Sequence, residues 1–516
     1  MARWFNVAGP CRPDIHYMLP ATVRLPDVLP LVAQQNYFVI HAPRQSGKTT
    51  AVLEFSRQLT ASGNYVAAVL SMEVGVPYND DPGAAEFAIL DDWRDAVEHQ
   101  LLPHLYPPRW PKAAPGRRIG AALRSWAKAC PCPLVLFLDE IDALQNQALI
   151  SVLRQLRVGY TRRPDSFPAS LALIGLRDVR DYKVASGGSD RLTTASPFNI
   201  KADSLTLRSF TPGEVQELYR QHTAETGQVF TASALERAFD LTQGQPWLVN
   251  ALARQAVDVV QPDRTQPVER SHIDAAKEVL IRRQDTHLDS LAERLREPRV
   301  RAIIEPMLAG QTLGDVPPDD LRFVQDLGLV RLDPEGGLTV ANPIYREVLP
   351  RVLASTTIAS LPRITPTWLS ADGRLDTEQL LDAFLVFWRQ HGQPLLGTAP
   401  YNEIAPHLVL MAFLHRVANG GGTLEREYAI GSDRMDLLLR YGTDQLAIEL
   451  KVWREGRSDP LPAGLRQLDN YLAGLGLQSG WLVIFDQRYG LVPLADRTEA
   501  TTATTPSGRT VTVITA

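Results

Sequence analysis

Two short runs in this chain carry side chains of the kind that handle phosphate. The first is Ala42-Pro43-Arg44-Gln45-Ser46-Gly47-Lys48-Thr49-Thr50, directly after the apolar stretch at 37–41. In such an order the backbone N–H groups of Gln45 to Thr49 can turn inward on phosphate oxygens, and the positive end of the following helix faces them. Lys48 then reaches the β- and γ-phosphates, and the Thr49 hydroxyl ligates magnesium. Alanine stands at 42 where the pattern has its first glycine. That is tolerable if φ stays negative there, and Pro43, with φ fixed near about −65°, stiffens the start of the loop. The second run, about ninety residues on, is Asp139-Glu140 at the end of the apolar stretch LVLFL. Asp139 can hold the water shell of magnesium and Glu140 can orient and activate an attacking water. A chance Gly-Lys-Thr at a helix start, and acids that merely cap the next helix (a role open to Asp142), are the plain alternatives. Each weakens because the other half of the machinery is present.

A second constellation lies near the C-terminus, where the apolar runs RMDLLLRY and DQLAIELK flank Gly442-Thr443. Glycine at the first central position suits a two-residue type II′ hairpin turn. With Tyr441 paired to Asp444, counting outward places Asp436 opposite Glu449, and directly paired residues share a face with Cβ atoms about 4.5–5.5 Å apart. Lys451 falls on that face too. Facing carboxylates inside apolar strands repel unless a divalent cation bridges them; Mg²⁺ binds one or two carboxylates plus water and phosphate oxygens. The lysine can then support a metal-bound water or developing phosphate charge. An ordinary charged, solvated sheet face is the alternative.

The elements that must position these groups follow from the pattern. Buried strands are expected at YFVIH, YVAAVLSME, LVLFLD and SLALIGL, separated by helical periodicity, with TTAVLEFSRQLTA as the first helix and Gly63 as its stop. This is an α/β domain with a parallel sheet, covering about 20–205 within a segment 1–205. PHLYPPRWPKAAPGRR is a proline-rich connection without regular structure. Residues 206–292 read as a helical lid, and 293–355 as a winged helix with a hairpin turning at 333–337. A Ser/Thr/Pro-rich linker at 356–375 precedes a C-terminal domain at 376–516.

The length of 516 residues requires several such domains, and 45% hydrophobic with 22% charged residues excludes extended disorder. A net charge of −5 provides no global basic footprint, so any nucleic-acid contact must be local. Cys11, Cys130 and Cys132 are too few for a disulfide framework and are expected as small buried thiols of a reducing cytosol. No signal pattern or membrane-length apolar run is present, so a cytoplasmic chain without membrane association is expected.

The glycine-lysine loop, LFLDEID, GQPWLVNALA at 244–253 and ANPIYREVLPR resemble the prokaryotic AAA+/STAND-type P-loop ATPases of the origin-recognition-like branch, over about 20–355. The resemblance implies an ATP site in which Gly244-Gln245-Pro246 contacts or senses nucleotide, although a helix boundary would explain that composition equally well. Arg177 and Arg208 are the candidates for a sensor arginine. Homo-oligomerisation and a protein trigger are further expectations of the resemblance. The C-terminal order helix, three strands, helix, strand is similar to the PD-(D/E)XK nuclease superfamily, whose core is αβββαβ. Asp436, Glu449 and Lys451 match its motif, with Met435 in place of the usual proline. Gln467 and Tyr471 match an accessory Gln-x-x-x-Tyr pattern, or a packed helix face. Glu403 and Glu427 compete for the place of an additional acid. Together the resemblances imply an ATP- and Mg²⁺-dependent protein controlling a Mg²⁺- or Mn²⁺-dependent DNase on double-stranded DNA, plausible in defence against phage or mobile DNA. The alternative is an ATP-driven DNA-binding switch whose C-terminal domain grips without cutting. Acids outnumber Lys plus Arg between 425 and 500, which disfavours a broad phosphate-attracting surface there.

Overall fold

The computed structural model describes residues 3–516 except 178–199, 284–293, 309–312, 314, 334–335, 351–366, 371, 399–404, 419–421, 431–432 and 489. The chain divides into two compact units, Met1–Leu280 with Pro317–Asn342, and Ile281–Val316 with Pro343–Ala516.

In the first unit, β1 (Tyr37–His41), β2 (Val66–Ser71), β3 (Leu134–Asp139), β4 (Ser170–Gly175) and β5 (Asp203–Thr206) form a wholly parallel sheet in the order β2-β3-β4-β1-β5. One strand, β4, therefore separates β1, which feeds the glycine-lysine loop, from β3, which ends at Asp139. The apolar runs are continuous because both faces are covered, and successive residues alternate between two cores. Tyr37, Val39, Leu136 and Leu138 pack with α4 (Pro82–Gln100), α5 (Arg118–Ala129) and α6 (Asn146–Gly159). Phe38, Ile40, Val135 and Phe137 pack with the short helices α1 (Ala21–Arg24) and α2 (Val28–Ala33) and with α3 (Lys48–Ala61). Burying each such Leu or Phe contributes about 1.5–3 kcal/mol before entropy is counted. The exposed edge of β2 is covered by Gln100, whose side-chain amide accepts from Val69 N at 2.8 Å and donates to Val69 O at 2.7 Å. The proline-rich connection holds only a short 3₁₀ turn at Pro103–Leu105 before α5.

The helical segment follows as α7 (Pro212–Thr226), α8 (Ala232–Thr242), α9 (Pro246–Gln255) and α10 (Arg270–Arg283). α7 starts on a full capping box, with Thr211 accepting from Glu214 N and the Glu214 carboxylate accepting from Thr211 N. The region read as a winged helix contributes to both units. A helix at Pro298–Leu308 (α11) belongs to the second unit, whereas the helix Pro318–Asp326 (α12) and the antiparallel hairpin β6 (Val330–Leu332) and β7 (Leu338–Val340) belong to the first. The expected linker lies largely outside the described residues.

The second unit is built on a six-stranded sheet, order β12-β13-β11-β10-β9-β8, from β8 (Gly422–Ile430), β9 (Asp433–Tyr441), β10 (Asp444–Trp453), β11 (Trp481–Asp486), β12 (Glu499–Thr504) and β13 (Thr510–Thr515). Helices α13 (Thr377–Thr398) and α14 (Ala405–Ala418) contribute to the core on one face, and α15 (Leu461–Leu475) to the core on the other. The sequence from α14 onward is thus helix, three antiparallel strands, helix, and a strand parallel to β10, extended by the β12–β13 hairpin. The three cysteines are free and half-buried, more accessible than the buried thiols expected: Cys130 caps the end of α5, and Cys11 and Cys132 lie in irregular segments. Among the described residues no helix is long and apolar enough to cross a membrane.

Candidate functional site

The loop after β1 owes its shape to two left-handed residues, Gln45 at φ +56° and Gly47 at φ +89°. Changes of hand at alternate positions turn successive amides to one side and form an anion-binding concavity. Ala42 has no positive φ; it is buried, and its N–H donates to Gly175 O at 3.3 Å. The conformational freedom lies at 45 and 47, so nothing at 42 calls for glycine. Pro43 faces the turn after α12: a Cβ on Gly328 would stand 2.7 Å from the Pro43 ring.

Lys48 opens α3 and its ammonium donates to Ala42 O at 2.8 Å and Pro43 O at 3.0 Å. Burial pushes its pKa down, while Glu140, Asp142 and Asp139 pull it up. Thr49 donates its hydroxyl to Asp139 Oδ2 at 2.7 Å, joining the loop directly to the end of β3. Asp139 is itself buried and its second oxygen accepts from Glu140 N at 3.0 Å. Burial raises the pKa of Asp139, opposed by the Thr49 and Glu140 hydrogen bonds. Burial and the neighbouring Asp142 and Asp139 raise that of Glu140, which takes a left-handed φ of +56°. Asp142 does not serve as a helix cap: its Oδ1 accepts from Leu176 N at 3.2 Å and so pins the end of β4 beside the acids.

These groups surround one cavity of about 400 Å³. Arg44, Gln45, Gly47, Lys48, Thr49 and Thr50 line it from the loop, and Glu140 and Asp142 from the strand ends. Ala42, Pro43 and Ser46 of the same loop do not line it; Ser46 Oγ is buried without a hydrogen-bond partner among the described residues. The remaining walls come from the N-terminal segment, which carries no sequence signal for a site, and from α9, whose Pro246 was expected at the nucleotide. Residues 6–11 form one wall, fixed by Cys11 N donating to Thr50 Oγ1 at 3.0 Å and by Trp247 Nε1 donating to Val7 O at 2.8 Å. Pro246, Trp247 and Asn250 of α9 form another. No periodicity or spacing marks an N-terminal segment as a cavity wall, so only the fold could reveal it.

Gly244 itself is not in the lining. It has φ +71°, and a Cβ there would overlap the Phe210 carbonyl oxygen and stand 2.8 Å from its carbonyl carbon. Its own carbonyl accepts from Phe210 N at 2.8 Å. Gln245 caps α9 by accepting from Leu248 N at 2.6 Å, with Pro246 in the first turn. In this triplet the glycine closes the backbone onto the β5 exit and the proline faces the cavity.

Arg24, also unmarked in the sequence, ties these parts together. It is buried, donates to Ser46 O at 3.0 Å through Nη1 and to Arg208 O at 2.9 Å through Nε, and lies 4.8 Å from the Phe210 ring centre. Burial lowers its pKa to about 10. The two arginines considered as sensors are held by carboxylates: Arg177 by Asp326 at 3.4 Å and Arg208 by Glu214 at 2.6 Å.

In the second unit, Tyr441 pairs with Asp444 and the ladder runs to Leu437 opposite Ile448, with Gly442 at φ +58° in the turn. The next step outward is position 436 against 449; the side chains of Asp436 and Glu427 and the whole of Glu403 lie outside the described residues. Glu449 is 2% exposed, and Lys451 Nζ approaches its Oε1 at 2.5 Å. Both follow Ala447 at two-residue steps, so they take the α15 face of the sheet. On that helix Tyr471 is buried in the core with Leu438 and Leu468, while Gln467 is exposed. Tyr471 thus packs against the sheet. Among the described residues no three His, Cys, Asp or Glu side chains cluster as a metal site.

No family model matches the chain, and no curated protein matches it. Among solved structures it is similar to the Walker-type ATPase PABY2304 of Pyrococcus abyssi, at 13% identity, covering 67% of this chain and 99% of that one, with a TM-score of 0.46. It is also similar to the Aeropyrum pernix ORC1 protein in complex with DNA, at 16% identity, 68% and 82% coverage and a TM-score of 0.36. The Thermotoga maritima RuvB Holliday junction branch migration motor matches at 16% identity, 64% and 92% coverage and a TM-score of 0.35.

Proposed function

We propose that this chain binds and hydrolyses ATP at the cavity around Lys48, and that the nucleotide state controls metal-dependent phosphodiester cleavage by its C-terminal unit. The observation that carries the first half is the 2.7 Å contact of the Thr49 hydroxyl with Asp139, with Lys48 and Glu140 on the same cavity. An ammonium, inward amides, a hydroxyl and two carboxylates fit a nucleoside triphosphate with Mg²⁺. Thr49 and Asp139 would hold the ion, which supplies charge neutralisation at the phosphates. Lys48 exchanges its two carbonyl acceptors for phosphate oxygens, and Glu140 accepts the proton of the attacking water; its raised pKa suits a base. Residues 6–11 with Trp247 and Asn250 shield the cavity from solvent.

The second half rests on the hairpin register and on the buried Glu449 with Lys451 beside it, which together support a phosphodiester-cleaving site including Asp436 and Gln467. A carboxylate is costly to bury, and a structural sheet gains nothing from one there. Double-stranded DNA is the proposed substrate, with a homo-oligomeric assembly and a protein trigger as regulators; defence against phage or mobile DNA is suggested by the fused architecture alone. One observation favours a unit that grips without cutting: Lys451 already neutralises Glu449 within the chain.

Plasmid incubated with wild type, Lys48→Ala and Glu449→Ala, each with and without ATP and Mg²⁺ or Mn²⁺, tests both halves. Cleavage that needs ATP and is lost in each variant is expected. Cutting that survives Glu449→Ala sinks the active site, and cutting indifferent to ATP and to Lys48→Ala removes the control.

A further inference from the structure

A second cavity, of about 520 Å³, opens between α4 and the proline-rich connection, on residues with no part in the nucleotide site. Its chemistry is cationic and aromatic. Phe87 on α4 is 67% exposed, an unusual position for a large aromatic side chain on a helix otherwise packed on the sheet. Trp110 lies across from it, held by its indole N–H donating to Leu90 O at 2.8 Å and lying 5.6 Å from the Arg94 guanidinium. Arg109 and Lys112 line the same cavity and make no hydrogen bond or ion pair among the described residues. Arg118 anchors the wall through Gly83 O at 2.5 Å and Ala113 O at 3.4 Å. Asp91 is the one acid in the lining.

The charge is local and set by the sequence. From His99 to Leu138 there is no Asp or Glu, yet there are six Lys and Arg residues, in a chain of net charge −5. Cations without partners beside an exposed phenyl ring and a half-buried indole suit phosphates joined to planar bases. Phe87 stands open to solvent while the Trp110 ring is half-buried in the cavity wall, where an unstacked base can reach it and a base inside a duplex cannot.

We propose that this cavity binds single-stranded nucleic acid, with a base against Phe87 and Trp110 and phosphates on Arg109 and Lys112. This gives the ATPase-like unit its own nucleic-acid contact and does not depend on cleavage by the other unit. A contact of this kind would give the protein a means of sensing unpaired strand.

The test uses the full chain in EDTA, which silences any metal-dependent cutting, and a fluorescein-labelled twelve-residue oligo-dT read by anisotropy over a salt series. Binding is expected, with a log-affinity slope against log salt that becomes shallower by about 1.4 in Arg109→Gln/Lys112→Gln, since each phosphate contact on a single strand contributes about 0.7. Phe87→Ala is expected to weaken binding about tenfold with the slope unchanged, as loss of a base stack does. No binding by the wild type, or an unchanged slope in the double variant, overturns the proposal. Equal affinity for a hairpin duplex overturns the single-strand assignment, and equal affinity for free dTMP overturns the polynucleotide. Loss of plasmid cleavage in Glu449→Ala with oligo-dT binding intact would separate this site from the cutting one.

Discussion

Gly244→Ala distinguishes two roles for the Gly-Gln-Pro triplet. The added methyl must share space with the Phe210 carbonyl, a backbone group held by the hydrogen bond from Phe210 N to Gly244 O. It must also sit at φ +71°, where an L-residue costs about 1–2 kcal/mol. Forcing the overlap apart adds about 1–3 kcal/mol of the kind seen on overpacking a core. The sum is about 2–5 kcal/mol, which for a unit of this size lowers its melting transition by roughly 3–8 °C. Differential scanning calorimetry of the nucleotide-free protein measures that transition. Titration with a fluorescent ATP analogue well below it measures the site. Because Pro246 and Trp247, and not Gly244, line the cavity, affinity in the folded variant is expected within about threefold of wild type. A variant with wild-type melting and tenfold weaker nucleotide binding would refute this reasoning and return Gly244 to the nucleotide.

Two other expectations follow from buried charge. Arg24→Leu leaves Ser46 O and Arg208 O without their donors, and with hydrogen bonds to a charged group worth about 1.5–3 kcal/mol each, a loss of about 3–6 kcal/mol in urea unfolding is expected. An unchanged urea midpoint would show that the loop does not need this arginine. In the second unit, burial pushes the Asp469 carboxyl up, but hydrogen bonds from Ser507, Thr505 and Arg509 outweigh it and hold the group at about 2. A folded-state value below the ordinary 3.8 means the stabilisation is complete above about pH 4 and is lost as pH falls through 2. Asp469→Asn should lower the melting temperature at neutral pH and flatten its decline between pH 4 and 2; a decline as steep as wild type counts against it.

The sequence by itself determined the elements. Continuous apolar runs specify strands buried on both faces, and LVLFLD and SLALIG are found as β3 and β4 with every residue buried. The turn glycine at 442 fixed the register of β9 with β10, because a two-residue turn leaves one pairing. The loop side chains and Asp139 were legible for the same reason: their roles depend on neighbours in the chain. Other features depend on neighbours only in space, and the tertiary structure alone decided them. The strand order puts β4 between β1 and β3, which brings Thr49 to Asp139 across ninety positions. The wall from residues 6–11, the Arg24 tie, and the split of the region read as a winged helix have no local signature, since no periodicity records which distant backbone a side chain will meet. Gly244 shows the difference most sharply: its letter suggested a ligand, and the Phe210 carbonyl supplies the physical reason for it.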